Sequence, residues 1–317
     1  MTTIPVITLE TIQASLTEAE ILDAVKGALI AQARGEVNSP PPGMLMLSNP
    51  EGECHIKYGH LDGSDTFVIK IACGFFENPK IGLSAGSGMM LVFNAKTGVP
   101  VCILDDKGWL TNARTAAAGA LAAQAGAPSA VTSVGIIGTG EQAELQATWT
   151  CKLLGIESVT VYGRTASHVK DYVERMEQNG YSVTVAPDIP TLMKSCNLVI
   201  TTTPSNAALI MADDVQPGTH IVAMGTDNPG KQELDAALFP RAAVIMVDDH
   251  NQCVHHGDLG HAVRSGLVPE DADIALGAVL AGVKPGRTSD DDITIADLTG
   301  IAAEDMAVAG LVWSRQG

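Results

Sequence analysis

Five groups of residues in this chain have types and spacings that can do chemistry. The first is Gly138-Thr139-Gly140-Glu141-Gln142-Ala143, directly after the apolar, β-branched run Val131 to Ile137 and before a helical pattern that opens near Glu141. One glycine permits a sharp turn, the next lets an anion approach the main chain, and Ala143 is small enough for close packing of helix on strand. The helix start adds free N–H groups and a positive dipole end. This is pyrophosphate chemistry, and it places a dinucleotide at Gly138, Thr139, Gly140, Glu141 and Gln142. The second group, Gly163-Arg164-Thr165, follows the strand-like SVTVY at Ser158 to Tyr162. An acidic residue there would bind a ribose 2′-hydroxyl; a small glycine and an arginine instead admit a 2′-phosphate, which on these residues alone leans towards NADP(H). The competing reading makes Arg164 a solvated residue that opens the next helix.

The third group is Lys70, inside the apolar run FVIKIACGF. Burying a lone ammonium costs several kcal/mol, so Lys70 is either paired, functional, or at an edge with its amine in solvent. In the preceding strand-like run, His55 and Lys57 share a face by alternation. The fourth is Arg114, near the start of the alanine-rich helix Thr111 to Ala123, which can hold a carboxylate in a two-pronged contact or serve a structural ion pair. The fifth is Asp227, just past the apolar run His220 to Gly225. Ligands bind at the carboxyl ends of parallel strands, so Thr202, Thr203, Met224, Gly225 and Asp227 are expected around the cofactor, with Asp227 as an acid–base group or, alternatively, a cap of the turn Asn228-Pro229-Gly230.

These residues require an α/β framework. Asn197 to Thr203, His220 to Gly225 and Ala243 to Val247 read as buried parallel strands that extend the strand–helix–strand unit at Val131 to Tyr162, giving a doubly wound Rossmann sheet. Before it, a helix over Glu18 to Arg34 opens with capping-box spacing at Thr17 and Glu20, and strand-like runs at Met44 to Leu47, His55 to Tyr58, Thr66 to Ala72, Met89 to Phe93 and Val99 to Leu104 predict an antiparallel sheet. An amphipathic segment is expected over Ile293 to Trp313.

Composition sets the outer limits. A chain of 317 residues, 46% apolar and 17% charged, has the makings of two globular domains. Its net charge of −17 argues against nucleic-acid or anionic-membrane surfaces, and an anionic substrate needs a local cationic pocket. Six cysteines without CxxC spacing suit a reducing compartment. The opening residues lack a basic region followed by an apolar core, and no apolar stretch reaches transmembrane length, so a cytoplasmic location is expected. His250, His255, His256 and His261 cluster without a ligand motif, and no metal is expected.

Lys70 in VIKIACGF with Asn78-Pro79, LTNARTAAAGALAA, GIIGTGEQA, GTDNPGKQEL and ITIADLTGIAAEDMA, in that order, resemble the ornithine cyclodeaminase and mu-crystallin family. The resemblance implies a Rossmann domain at 121–290 and a second, α+β substrate and dimerisation domain built from both chain ends, 1–120 and 291–317, forming a homodimer. It implies Lys70 and Arg114 in the substrate pocket, Asp227 as the acid–base residue, and Thr115 beside the dinucleotide. Many members carry a carboxylate-binding arginine where this chain reads Ser39-Pro40-Pro41-Pro42-Gly43-Met44, and no arginine occurs between Arg34 and Arg114; Lys57 is the expected replacement. The branch it most resembles reduces iminosuccinate to aspartate with NADH, so the expected activity is reduction of a small anionic imino acid by hydride transfer to a protonated imine, with NAD(H) placed slightly ahead of NADP(H). The alternatives are a redox-neutral NAD-dependent cyclodeaminase and a mu-crystallin-like nucleotide- and ligand-binding protein.

Overall fold

The computed structural model describes residues 3–75 and 77–316. The chain forms two compact units, one of Met1–Thr115 with Ile301–Gly317 and one of Ala116–Gly300. In the first, β1 (Val6–Thr8) leads into α1 (Leu9–Ser15) and α2 (Glu18–Ala33). Thr17 caps α2 as its spacing predicts: the Thr17 hydroxyl accepts from the Glu20 N–H, and the Glu20 carboxylate accepts from the Thr17 N–H. β2 (Val37–Asn38), β3 (Gly43–Ser48), β4 (Glu51–Leu61), β5 (Thr66–Gly74), β6 (Gly86–Asn94) and β7 (Pro100–Asp105) join β1 in a seven-stranded sheet. Its order is β1-β7-β6-β5-β4-β2, with β3 also on β4; β1 runs parallel to β7 and the other pairs are antiparallel. Several strands outrun their apolar centres, because the ladder pairs main chain through glycine and polar positions alike. Alternation sends Lys57, Val68, Lys70, Met90, Val92, Cys102 and Leu104 inward, while Ile56, Tyr58 and Met89 remain exposed. α3 (Trp109–Gly126) follows the sheet.

The second unit runs β8 (Val134–Ile137), α4 (Glu141–Leu154), β9 (Ser158–Tyr162), α5 (Ala166–Gln178), β10 (Ser182–Val185), α6 (Ile189–Ser195), β11 (Leu198–Thr201), β12 (Asn206–Ile210), β13 (His220–Ala223), β14 (Gln232–Leu234), β15 (Val244–Val247), α7 (His250–His256), α8 (Asp258–Arg264), β16 (Ile274–Ala275), α9 (Leu276–Leu280) and β17 (Thr294–Asp297). Eight of these strands form one parallel sheet in the order β10-β9-β8-β11-β13-β17-β15-β16, and β12 pairs separately with β14. The fold is α/β, a doubly wound parallel sheet plus a second domain. All four residues of β8, β11, β13 and β17 are buried, the signature of central parallel strands. Strand order reverses between β8 and β11, where such sheets place their ligands.

Two expectations are corrected. β8 begins at Val134, not Val131, because its ladder to β9 and β11 starts there. The stretch 291–300, expected with the first domain, supplies β17, inserted between β13 and β15 with partners on both sides. The segment expected as one amphipathic run over 293–313 is therefore a strand of one unit and a helix of the other. That helix, α10 (Ala302–Ser314), packs on α2, β4 and β5 and buries Met306, Val308, Ala309 and Val312 together with Glu304 and Asp305.

Candidate functional site

In the first unit the β4–β5 register sets Lys57 directly opposite Lys70, and both are buried, 8% and 2% exposed. Their environment is explained by α10. Glu304 and Asp305 occupy its first turn, where carboxylates are favoured by the helix dipole. The Lys70 ammonium donates to Asp305 Oδ1 at 2.9 Å and lies 2.8 Å from Oδ2. Arg114 on α3 donates through Nη1 to Glu304 Oε2 at 2.6 Å, and its Nε lies 3.1 Å from Asp305 Oδ1. Two adjacent acids on one helical turn thus collect cations that lie 190 and 235 positions away in the chain. Asp106 caps the opening of α3, its Oδ2 accepting the Leu110 N–H at 2.8 Å. Burial, with Arg114 and Lys57 nearby, pulls Lys70 down to about 7 against the attraction of Asp305. Burial alone would raise Asp305, but Lys70 and Arg114 outweigh it and hold that carboxyl below its ordinary value.

The second unit holds a cavity of about 480 Å³ at the switch point, lined by Gly138, Thr139, Gly140, Gly163, Arg164, Thr165, Thr202 and Thr203 among others. Its residues fit a dinucleotide. Gly138 adopts φ +128°, and a Cβ there would meet Thr202 Oγ1 at 2.5 Å. Gly140 is the N-cap of α4 and brings no side chain to cap it, which leaves the helix start to an anion. A Cβ at Gly163 would lie 2.5 Å from Thr139 Cγ2, so only glycine keeps that wall open. Tyr162, His168 and Ser205 also line the cavity and were not expected there. Glu141, Gln142, Met224, Gly225 and Asp227, expected around the cofactor, are outside its lining. Thr115 belongs to the first unit, on α3.

Asp227 stands in the β13–β14 connection with its side chain 42% exposed, and Lys231 donates to its Oδ1 at 2.6 Å. Sequence reasoning missed Lys231, although its place four residues after Asp227 was the available signal. Behind this loop lies a group of buried carboxyls, Glu233, Asp248, Asp258 and Asp297, of which sequence reasoning missed Glu233 and Asp258. Asp258 Oδ1 accepts the N–H groups of Glu233 and Leu234, each at 2.9 Å, and Asp297 Oδ2 accepts the Leu259 N–H at 2.8 Å. Burial, reinforced by Asp258, pushes Glu233 up to about 7; burial likewise raises Asp258 to about 6 and Asp297 well above the usual carboxylate range. Of the clustered histidines, His250 contacts Asp273 at 2.8 Å and His261 donates to the Lys231 carbonyl at 2.9 Å. Among the described residues no group of three or more His, Cys, Asp or Glu could hold a metal, and no helix is long and apolar enough to cross a membrane.

Comparison with known proteins gives the site its context. A Sinorhizobium fredii protein named an uncharacterized cyclodeaminase is 38% identical over 313 residues, 95% of each chain. The structure of an archaeal alanine dehydrogenase dimer with bound NAD superposes with a TM-score of 0.89 at 33% identity, over 98% of this chain and 95% of that one. The Paracoccus denitrificans iminosuccinate reductase in complex with NAD+ gives a TM-score of 0.87 at 29% identity, with the same coverage. The model of the ornithine cyclodeaminase/mu-crystallin family matches residues 5–316, and the chain belongs to that family.

Proposed function

We propose that the protein is an NAD(P)H-dependent oxidoreductase that reduces a small imino acid, with iminosuccinate, yielding L-aspartate, as its leading substrate. The observation that carries this reading is the buried triad Lys57, Lys70 and Arg114 in a chain of net charge −17. Cations are withdrawn from water here although the protein is acidic, which suits recognition of carboxylates. Arg114 and Lys70 hold the carboxylate beside the reacting carbon, and Lys57 takes the second carboxylate of a dicarboxylate substrate. Glu304 and Asp305 orient the cations. Asp227 keeps the imine nitrogen protonated, since an iminium accepts hydride better than a neutral imine. When bound, a reduced nicotinamide supplies the hydride. Gly138, Thr139 and Gly140 take the pyrophosphate, with Gly163, Arg164 and Thr165 at the adenosine ribose.

NAD(H) is placed ahead of NADP(H) because the alanine dehydrogenase and iminosuccinate reductase structures are NAD complexes; Arg164 pulls the other way. A homodimer is part of the proposal. It is supported by the apolar outer side of the first unit's sheet, where Leu45, Ile56, Tyr58 and Met89 are 57%, 37%, 42% and 40% exposed, and light scattering of the purified protein tests it. The 38% identical relative favours a second reading, a redox-neutral cyclodeaminase. The deciding assay follows NADH and NADPH absorbance in parallel with oxaloacetate plus ammonia and with pyruvate plus ammonia. Consumption with the dicarboxylate imine is expected. Consumption with pyruvate plus ammonia alone would displace iminosuccinate, and silence with every imine, alongside ornithine turnover, would establish the lyase.

A further inference from the structure

The Glu233 carboxylate has no part in the chemistry above, yet each of its oxygens accepts two hydrogen bonds. Oε1 takes the Thr203 N–H at 2.6 Å and the Thr203 hydroxyl at 2.7 Å; Oε2 takes the Thr201 hydroxyl at 2.7 Å and the Gly225 N–H at 2.8 Å. Four donors fill the four lone-pair directions of one carboxylate. They come from two places, the end of β11 with the loop after it, and the residues just beyond β13. β11 and β13 are neighbours in the sheet, so this one side chain spans the ends of two adjacent parallel strands. The approach is tight: a Cβ on Gly225 would collide with the Thr203 carbonyl oxygen and lie 2.6 Å from Glu233 Cδ. β14, which carries Glu233, is itself pinned by Asp258.

Both tethered loops matter to function. Thr202, Thr203, Pro204 and Ser205 form a wall of the cavity, and the loop that starts at Gly225 carries Asp227. We propose that Glu233 is a positioning residue, which fixes the cavity wall at 202–205 and the root of the Asp227 loop by holding both on one carboxylate. The inference rests on the reading of that cavity as the dinucleotide site. Two acceptor oxygens are required, as a carboxyl supplies in either protonation state, because one main-chain N–H points at each oxygen and cannot become an acceptor. Glutamine would set its own NH2 group against one of them, and that clash, in a buried site, moves a loop.

The test measures binding of NADH and NADPH by calorimetry to the wild-type protein and to Glu233→Gln, Thr201→Val and Thr201→Ser, with circular dichroism melts to establish folding. Thr201 is fully buried and does not itself line the cavity, its hydroxyl is held by Glu233, and the Val and Ser variants separate that hydrogen bond from its packing beside Ile137 and Thr202. Glu233→Gln is expected to bind about tenfold more weakly, and Thr201→Val about threefold more weakly. Thr201→Ser keeps the hydroxyl and should retain wild-type affinity, a rescue that a purely packing role for Thr201 does not produce. Wild-type affinity in folded Glu233→Gln, or equal weakening by Thr201→Val and Thr201→Ser, would overturn the proposal. If Glu233→Gln does not fold, the Thr201 pair decides it. A wild-type protein that binds neither dinucleotide removes the cavity reading itself, an outcome distinct from the others.

Discussion

The two units bury carboxyl groups in opposite ways. Asp305 and Glu304 sit against Lys70 and Arg114, and the cations hold Asp305 ionised in spite of complete burial. Glu233, Asp258 and Asp297 meet main-chain N–H groups and threonine hydroxyls instead, and their carboxyls are pushed up. Equal burial therefore has opposite consequences, decided by whether cations stand beside the carboxyl to outweigh burial, or only dipoles and other carboxyls do. The difference matches the two tasks proposed here. A pocket for an anionic substrate needs fixed cations, which need counter-charges; a strand-end scaffold needs acceptors for N–H groups and gains nothing from a formal charge.

The sharpest way to break this contrast is the same substitution in both places. Asp305→Asn leaves Lys70 and Arg114 short of a buried counter-charge and is expected to cost about 3–5 kcal/mol of unfolding free energy. Asp297→Asn replaces a group that burial already favours in its neutral form; the amide oxygen can accept from Leu259 and the NH2 can meet Thr226, so the cost should stay under about 1 kcal/mol. Urea titration of both variants reads the difference, and similar losses would erase the distinction. Asp227 belongs to neither group, being half exposed and paired with Lys231. Asp227→Asn should fold normally and lower kcat on the order of 10²–10³-fold, the range for removal of a general acid–base group.

A smaller effect separates the units by pH. Glu233 and Asp258 have folded pKa values above their unfolded ones, so the stability linked to their protons is complete below the unfolded values near 4 and is lost as pH rises through about 6 and 7. Lys70 has a folded pKa of about 7 against 10.5, so its contribution is complete above 10.5 and is lost as pH falls towards 7. The contributions of Glu233 and Asp258 should fall from pH 5 to 7, by up to about 1.4 kcal/mol per unit for each group, and that of Lys70 should rise above 7. Glu233→Gln should flatten the first limb and Lys70→Met the second; a reversed assignment in denaturation curves at pH 5.5, 7 and 9 would contradict the pKa directions. Smallest of all, Lys57→Met should raise KM for a dicarboxylate imine about tenfold while sparing a monocarboxylate one, about the worth of one charge-assisted contact. Equal effects on both would remove Lys57 from the second carboxylate.

Local signals made much of this molecule legible. The glycine turn at Gly138, the capping box at Thr17 and the alternation that puts His55 and Lys57 on one face all depend on residues within a few positions of each other. Glu304, Asp305 and Glu233 were not legible as partners, because each meets groups brought to it by tertiary folding from up to 235 positions away. The strand at Thr294–Asp297 was missed for a related reason: four buried residues carry no periodicity that separates a central parallel strand from the start of a helix.

The central claim is that hydride passes to the carbon of a substrate imine. It is tested most directly by supplying nicotinamide cofactor deuterated at C4, in its R and S forms separately, with oxaloacetate and ammonia, and weighing the amino acid formed. One deuterium at the α-carbon of aspartate, from one of the two forms only, is the predicted result. Unlabelled aspartate, or cyclised product from an amino acid with the cofactor unchanged at the end, would contradict it.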